Sequence, residues 1–140
     1  MKSLKEMLTL GLFNEQRKFI FTVVKPGALQ YTQKIIERFE EDGWKVSKIR
    51  TKQLLLKEVH ALYKVHKKES FYNDLCEYMS SGNSTAIIFT KDEPMQKSVF
   101  KEVAEIKDEI REKYGESDMR NVLHSSDSLE HMEEEMKIYF

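Results

Sequence analysis

Six residues, Phe19-Ile20-Phe21-Thr22-Val23-Val24, set the terms on which this chain can fold. They are β-branched or aromatic with almost no polar interruption, so they read as a strand buried on both faces. Pro26-Gly27 breaks the run, because proline cannot donate to a strand ladder and glycine admits a turn. Lys25 therefore emerges at a strand end. A second run of the same type is Ala86-Ile87-Ile88-Phe89. Between the two, Ile35, Ile36 and Phe39 recur at helical spacing and Asp42-Gly43 closes the stripe. Trp44, Val46 and Ile49 begin a more polar strand, of the kind found at an edge or with one wet face. Helical patterns follow over 57–66 and 71–79, with a turn at Ser80-Ser81-Gly82. Pro94 is placed to open a helix at its first turn, with Val99, Val103, Ile106 and Ile110 as its stripe. A short apolar pair, Val122-Leu123, then precedes a last helix from about 128 to 136. This order predicts an α+β fold of βαββαβ plan. A four-stranded antiparallel sheet carries helices on one face, in a ferredoxin-like sandwich.

A chain of 140 residues suits one domain with one main core. The domain is expected over 16–140, with 1–15 as an extension. In that extension Leu4, Met7 and Leu8 recur as on a short amphipathic helix, and Glu6 interrupts what would otherwise resemble a signal peptide. Charged residues are 34% of the chain but balanced to a net −1, so no global field attracts nucleic acid or an acidic membrane. No apolar run approaches the length of a membrane span. Cys76 is the only cysteine. No intrachain disulfide can form, and a reducing, cytoplasmic compartment is expected.

His124 sits directly after Val122-Leu123 and directly before Ser125-Ser126-Asp127-Ser128. The last three are preferred helix-starting residues, because their side-chain oxygens accept orphan backbone N–H groups. A histidine held rigidly at a strand-to-helix junction is well mounted as a nucleophile. An ordinary imidazole is partly neutral at physiological pH, and a free ring nitrogen can attack phosphorus. Its other nitrogen then needs an acceptor to fix tautomer and orientation. In the last helix Leu129, Met132, Met136 and Tyr139 define a buried stripe, and Glu133 and Glu135 flank it on opposite sides. Spacing alone leaves both open. Metal-ligand spacing is absent: His60 and His66 do not share a helical face, and no cysteine pair exists.

The run Arg120-Asn121-Val122-Leu123-His124-Ser125-Ser126-Asp127-Ser128 resembles the active-site signature of nucleoside diphosphate kinases. Phe21-Thr22-Val23-Val24-Lys25-Pro26 resembles that family's first strand and lysine-proline corner. Residues 35–44 resemble its first helix and following turn. Tyr63, then 70–75, then 78–82 follow in the family's order, and the closing Ile138-Tyr139-Phe140 is similar to its aromatic end. The resemblance covers roughly 18–140. It implies phosphoryl transfer between nucleoside tri- and diphosphates through a phosphohistidine on His124. It implies Glu135, Lys25 and Tyr63 as the supporting catalytic residues. Lys25 and Arg111 would hold phosphates, Asn121 would contact the ribose, and Phe71 and Leu75 would sandwich the base, since every base has a π face. Magnesium would arrive with the nucleotide and bridge its phosphates, without a protein ligand.

The chain also departs from that pattern. The family carries a second arginine and a threonine on the phosphates, in the segment between Phe89 and Arg111. Here that segment is shorter and holds no arginine, and an ungapped match puts Val99 at the arginine's place. Lys97 or Lys101 is expected to compensate. Asp118 stands near the base site, where an apolar residue is usual, and is expected to touch the nucleotide. The alternatives are a regulatory nucleotide-binding domain with little catalysis, or a histidine phosphodonor to a protein partner. The excursion that supports larger assemblies is pruned, so the expected oligomer is a dimer built by the second strand and first helix.

Overall fold

A computed structural model of the protein describes residues 17–140. The expected helix within 1–15 lies outside the described residues. The elements in chain order are β1 (Lys18–Val24), α1 (Thr32–Glu41), β2 (Lys45–Gln53), α2 (Leu56–Leu62), α3 (Tyr72–Ser80), β3 (Asn83–Lys91), α4 (Ser98–Tyr114), β4 (Leu123–Ser125) and α5 (Leu129–Tyr139). Short 3-10 turns at Leu29–Tyr31 and Lys64–His66 precede α1 and follow α2. The four strands form one sheet in the order β2-β3-β1-β4, and every neighbouring pair is antiparallel. This is the ferredoxin-like α+β arrangement.

One expectation needs correction: helices cover both faces of the sheet. Side chains alternate along a strand, so β1 feeds two separate cores. Phe19, Phe21 and Val23 pack with Ala86 and Ile88 of β3 and with α2, α3 and α5. Ile20 and Val24 pack with Ile87 and Phe89 and with α1 and α4. All seven residues of β1 are consequently buried. A run with no polar alternation already demands cover on both sides, and the two layers provide it. Phe39 of α1 stacks on Phe89 with ring centroids 4.4 Å apart. Tyr139 of α5 meets Phe21 edge-on at 5.9 Å.

The polar strand β2 lies at the sheet edge, exposed along nearly its whole length, with an irregularity in its register between Val46 and Lys48. Pro94 does not open a helix. Helix α4 begins at Ser98, four residues on. The chain between β3 and α4 is instead tied down by an ion cluster: Lys18 and Lys91 each reach both Glu93 and Glu102. Beyond that cluster Val99, Val103, Ile106 and Ile110 are buried as the periodicity predicts. Helix α5 starts at a Ser128 cap whose hydroxyl accepts the His131 backbone N–H. Leu129, at the first helical position, is exposed, and the rest of the predicted stripe is buried.

Candidate active site

The short strand β4 hangs His124 on the most buried strand of the sheet. His124 pairs with Val23, between Leu123 opposite Val24 and Ser125 opposite Thr22. Just before it, Val122 has φ 76°, a left-handed conformation that costs a β-branched residue about 1–3 kcal/mol. Its surroundings hold it there. Val122 is buried, and its carbonyl accepts the Lys25 backbone N–H at 2.8 Å. Strand, strained residue and capped helix together leave the histidine little freedom.

The imidazole is oriented by a carboxylate. His124 Nε2 lies 2.6 Å from Glu135 Oε1. The other oxygen of Glu135 accepts the hydroxyl of Ser126. Glu133 faces the other way, toward Lys137 at 3.9 Å. The helix thus brings one of the two candidate glutamates to the ring. With Nε2–H donating to Glu135, Nδ1 keeps its lone pair. Tyr63 meets the ring edge-on, with centroids 5.4 Å apart. Its phenol is buried and has no hydrogen-bond partner among the described residues. Burial pushes its pKa up, so it stays a proton-bearing donor.

These groups line a cavity of about 530 Å³, a size suited to a small-molecule ligand. Lys25, Tyr63, Phe71, Leu75, Arg111, Asp118, Asn121, His124 and Glu135 all border it. Asn121 bridges two of the others: its Oδ1 accepts from Lys25 Nζ at 2.6 Å, and its Nδ2 donates to the Asp118 carbonyl at 2.7 Å. Phe71 is 45% exposed, whereas Leu75 is 5% exposed, so an accessible ring stands beside a buried aliphatic wall. His66 lies against that ring, with centroids 5.6 Å apart. At the rim His131 pairs with Asp127, and that contact raises the His131 pKa.

Four lysine and arginine side chains border the cavity: Lys64 is paired with Glu134 at 2.8 Å, and Lys25, Lys107 and Arg111 make no ion pair with another described residue. Lys25 is 4% exposed, and burial, then Arg111 and Lys107, lower its pKa to about 7. Arg111 donates Nε–H to the Leu123 carbonyl at 3.1 Å, and burial lowers its pKa as well. Lys107, one helical turn before Arg111, was not among the expected residues. It borders the cavity, and burial and Arg111 depress its pKa. The expected Lys97 and Lys101 are exposed and do not border it. The reason is helical phase. Val99 and Val103 turn into the core, which sends 97 and 101 to solvent, whereas the 107 and 111 stripe faces the cavity. Val99 itself is fully buried, so its position offers no route to a phosphate. The spacing of four between Lys107 and Arg111 was the available signal. Ser126 was legible only as a helix-capping residue, and its contact with Glu135 depends on the tertiary fold. Among the described residues, no group of three or more His, Cys, Asp or Glu is arranged to hold a metal ion.

Comparison with known proteins points one way. A family model described as nucleoside diphosphate kinase matches residues 19–140. The chain is 35% identical over 127 residues to "Nucleoside diphosphate kinase 1" of Protochlamydia amoebophila, covering 85% of this chain and 89% of that one. It is 31% identical over 128 residues to "Nucleoside diphosphate kinase" of Nitratiruptor sp., covering 85% and 92%. Among solved structures, nucleoside diphosphate kinase from Aquifex aeolicus superposes with a TM-score of 0.77 at 26% identity, over 89% of this chain and 95% of that one.

Proposed function

Because the chain belongs to the nucleoside diphosphate kinase family, we propose that it moves the terminal phosphoryl group of a nucleoside triphosphate to a nucleoside diphosphate through His124. The observation that carries this reading is the His124–Glu135 contact at 2.6 Å on the wall of a cavity that also gathers Lys25, Lys107 and Arg111. The Nδ1 lone pair attacks the terminal phosphorus in line, and the bond to the bridging oxygen breaks. The nucleoside diphosphate leaves with that oxygen. As the N–P bond forms, the ring becomes cationic, and the carboxylate at Nε2–H stabilises it. The second half-reaction reverses the first: a terminal oxygen of another diphosphate attacks the phosphorus and the N–P bond breaks. One site serves donor and acceptor in turn.

The remaining groups act by position and charge, which is most of what phosphoryl transfer asks of a protein. Lys25 sits at a strand end from which its ammonium can follow the transferring oxygens. The unpartnered Tyr63 phenol can donate to the same group. Arg111 offers a planar fork to phosphate oxygens. Phe71 presents a π face to the base over Leu75, which tolerates any base. Asn121 is placed for the ribose and Asp118 for the base side. Magnesium would be carried in by the nucleotide rather than held by protein ligands, and would supply charge neutralisation at its phosphates.

The test is incubation with nucleoside triphosphate labelled at the terminal phosphate, followed by a chase with unlabelled diphosphate. Acid-labile label should enter the protein and leave in the chase. His124→Ala should abolish it, while His60→Ala, whose ring stacks on Tyr72 away from the cavity, should leave it intact. Label on the His124→Ala protein would refute the assignment. Label that enters and does not leave would mark a phosphodonor instead.

A further inference from the structure

Lys107 and Arg111 stand four residues apart on α4 and both border the cavity. Their Cα atoms are about 6 Å apart along the helix axis, and side chains at this spacing share one face. Neither cation is in an ion pair, although Asp108 lies near enough to both, and Asp127 and Glu135 to Lys107, to offset part of their charge. Arg111 spends its Nε–H on the Leu123 carbonyl, and Lys107 makes no hydrogen bond or ion pair with another described residue. The third cation, Lys25, is bonded to the amide oxygen of Asn121 and not to a carboxylate. Three positive side chains set close together with reduced access to water repel one another, and a polyanionic ligand would offset what the nearby carboxylates leave uncompensated. Continuing the stripe one and two turns toward the start of α4 gives Ala104 and Phe100, neither of them charged. Besides Arg111, the only cation on this face of α4 is Lys107.

We infer that Lys107 is a phosphate-binding residue that completes a two-point clamp with Arg111, holding oxygens of the nucleotide's non-transferred phosphates. The helix itself then supplies what a separate loop would otherwise provide, since α4 runs unbroken from Ser98 to Tyr114. The ammonium is a point charge that needs no fixed approach angle, so it suits the less constrained of the two contacts, while Arg111 supplies the planar one. Burial, then the neighbouring Arg111, depress the Lys107 pKa, and a bound phosphate would act in the opposite direction. This inference rests on the reading of the cavity as a nucleotide site and assigns a residue to it.

The experiment measures equilibrium affinity for ADP, AMP and adenosine in wild type and in Lys107→Ala, Lys107→Gln, Lys107→Arg and Lys101→Ala. Loss of one charge-assisted contact should weaken ADP binding by about tenfold to hundredfold in Lys107→Ala and Lys107→Gln. AMP should lose less and adenosine nothing. Lys107→Arg should restore most of the affinity, and Lys101→Ala should behave as wild type. If the Ala chain does not fold, the Gln chain decides, since it keeps nearly the same stem on a half-buried helical position. Unchanged ADP affinity overturns the inference, as does an equal loss for all three ligands, which would mean wall packing. Wild type that forms phosphohistidine while Lys107→Gln binds ADP normally would sink the clamp alone. Wild type that binds ADP no better than adenosine would sink the nucleotide reading with it.

Discussion

At the scale of single residues, Lys25 carries the most testable chemistry. Its pKa is lowered to about 7, chiefly by burial. Between that value and the ordinary lysine range, the unfolded chain holds a proton that the folded chain has lost. Raising the pH through this window therefore relieves a cost, and the cost is full below about 7. A bound diphosphate favours the charged form and draws the pKa back up. Binding at pH 8 should consequently take up protons, and affinity should fall as pH rises from 7. Calorimetry in two buffers of different ionisation enthalpy reads this directly. Equal heats in both would exclude it, and Lys25→Arg should abolish the uptake. In the proposed reaction, Glu135→Gln would remove the charge that stabilises the cationic ring while keeping an acceptor. It should slow phosphohistidine formation by about a hundredfold or more, measured by rapid quench, with little change in ADP affinity. An unchanged rate would demote Glu135 to packing. The histidine was legible because its neighbours announce themselves locally as strand and cap. The choice between Glu133 and Glu135 was not, since both flank the same stripe and only the placement of α5 against β4 separates them.

At the scale of elements, α4 shows where periodicity succeeds and where matching fails. Its stripe of Val99, Val103, Ile106 and Ile110 was readable from spacing, yet position 99 looked by alignment like a place for arginine. In the fold it is fully buried. Val99→Arg should therefore not strengthen nucleotide binding. It should destabilise the protein by roughly 3 kcal/mol or more, because a buried guanidinium finds no partner there. A denaturant titration checks this, and a midpoint within error of wild type would contradict it. The start of α4 was misplaced because Pro94 suits a first helical turn, while the Lys18–Lys91–Glu93–Glu102 cluster that holds the connection is invisible in the local sequence. The other end is set by Gly115. A Cβ there would lie 2.4 Å from the Arg111 carbonyl oxygen. Gly115→Ala must shift that carbonyl, at about 1–3 kcal/mol, and should disturb phosphate binding through Arg111. Stability loss without any change in ADP affinity would mean that Arg111 is held independently of its backbone.

At the scale of the whole molecule, the two layers cover the faces of the sheet and leave β2 as its long edge strand. Strand β2 exposes Val46 and Ile49 at 38% and 51%, among lysines and an arginine. Such charges discourage indefinite edge pairing without forbidding a closed pair. The expected assembly is a dimer across β2 and α1. Sedimentation should show a dimer that Ile49→Asp dissociates, and a monomeric wild type at micromolar concentration would refute it. The antiparallel plan was readable because each strand and helix carries its own periodicity. The cover on both faces was misjudged, although the unbroken apolar run of β1 already required it.

The pairing of β4 with β1 also has a meaning in time. Lys25 and the Asn121 that receives its proton-bearing nitrogen are 96 residues apart in the chain. His124 and Glu135 are made later still. On the proposed function, a nascent chain carries Lys25 long before it carries the nucleophile, and no stretch from the first half could transfer a phosphoryl group while the rest is being synthesised. On the proposed function, competence arrives only when β4 has docked beside β1 and α5 has brought Glu135 to His124, so the emergence of activity would itself be a clock for the completion of folding.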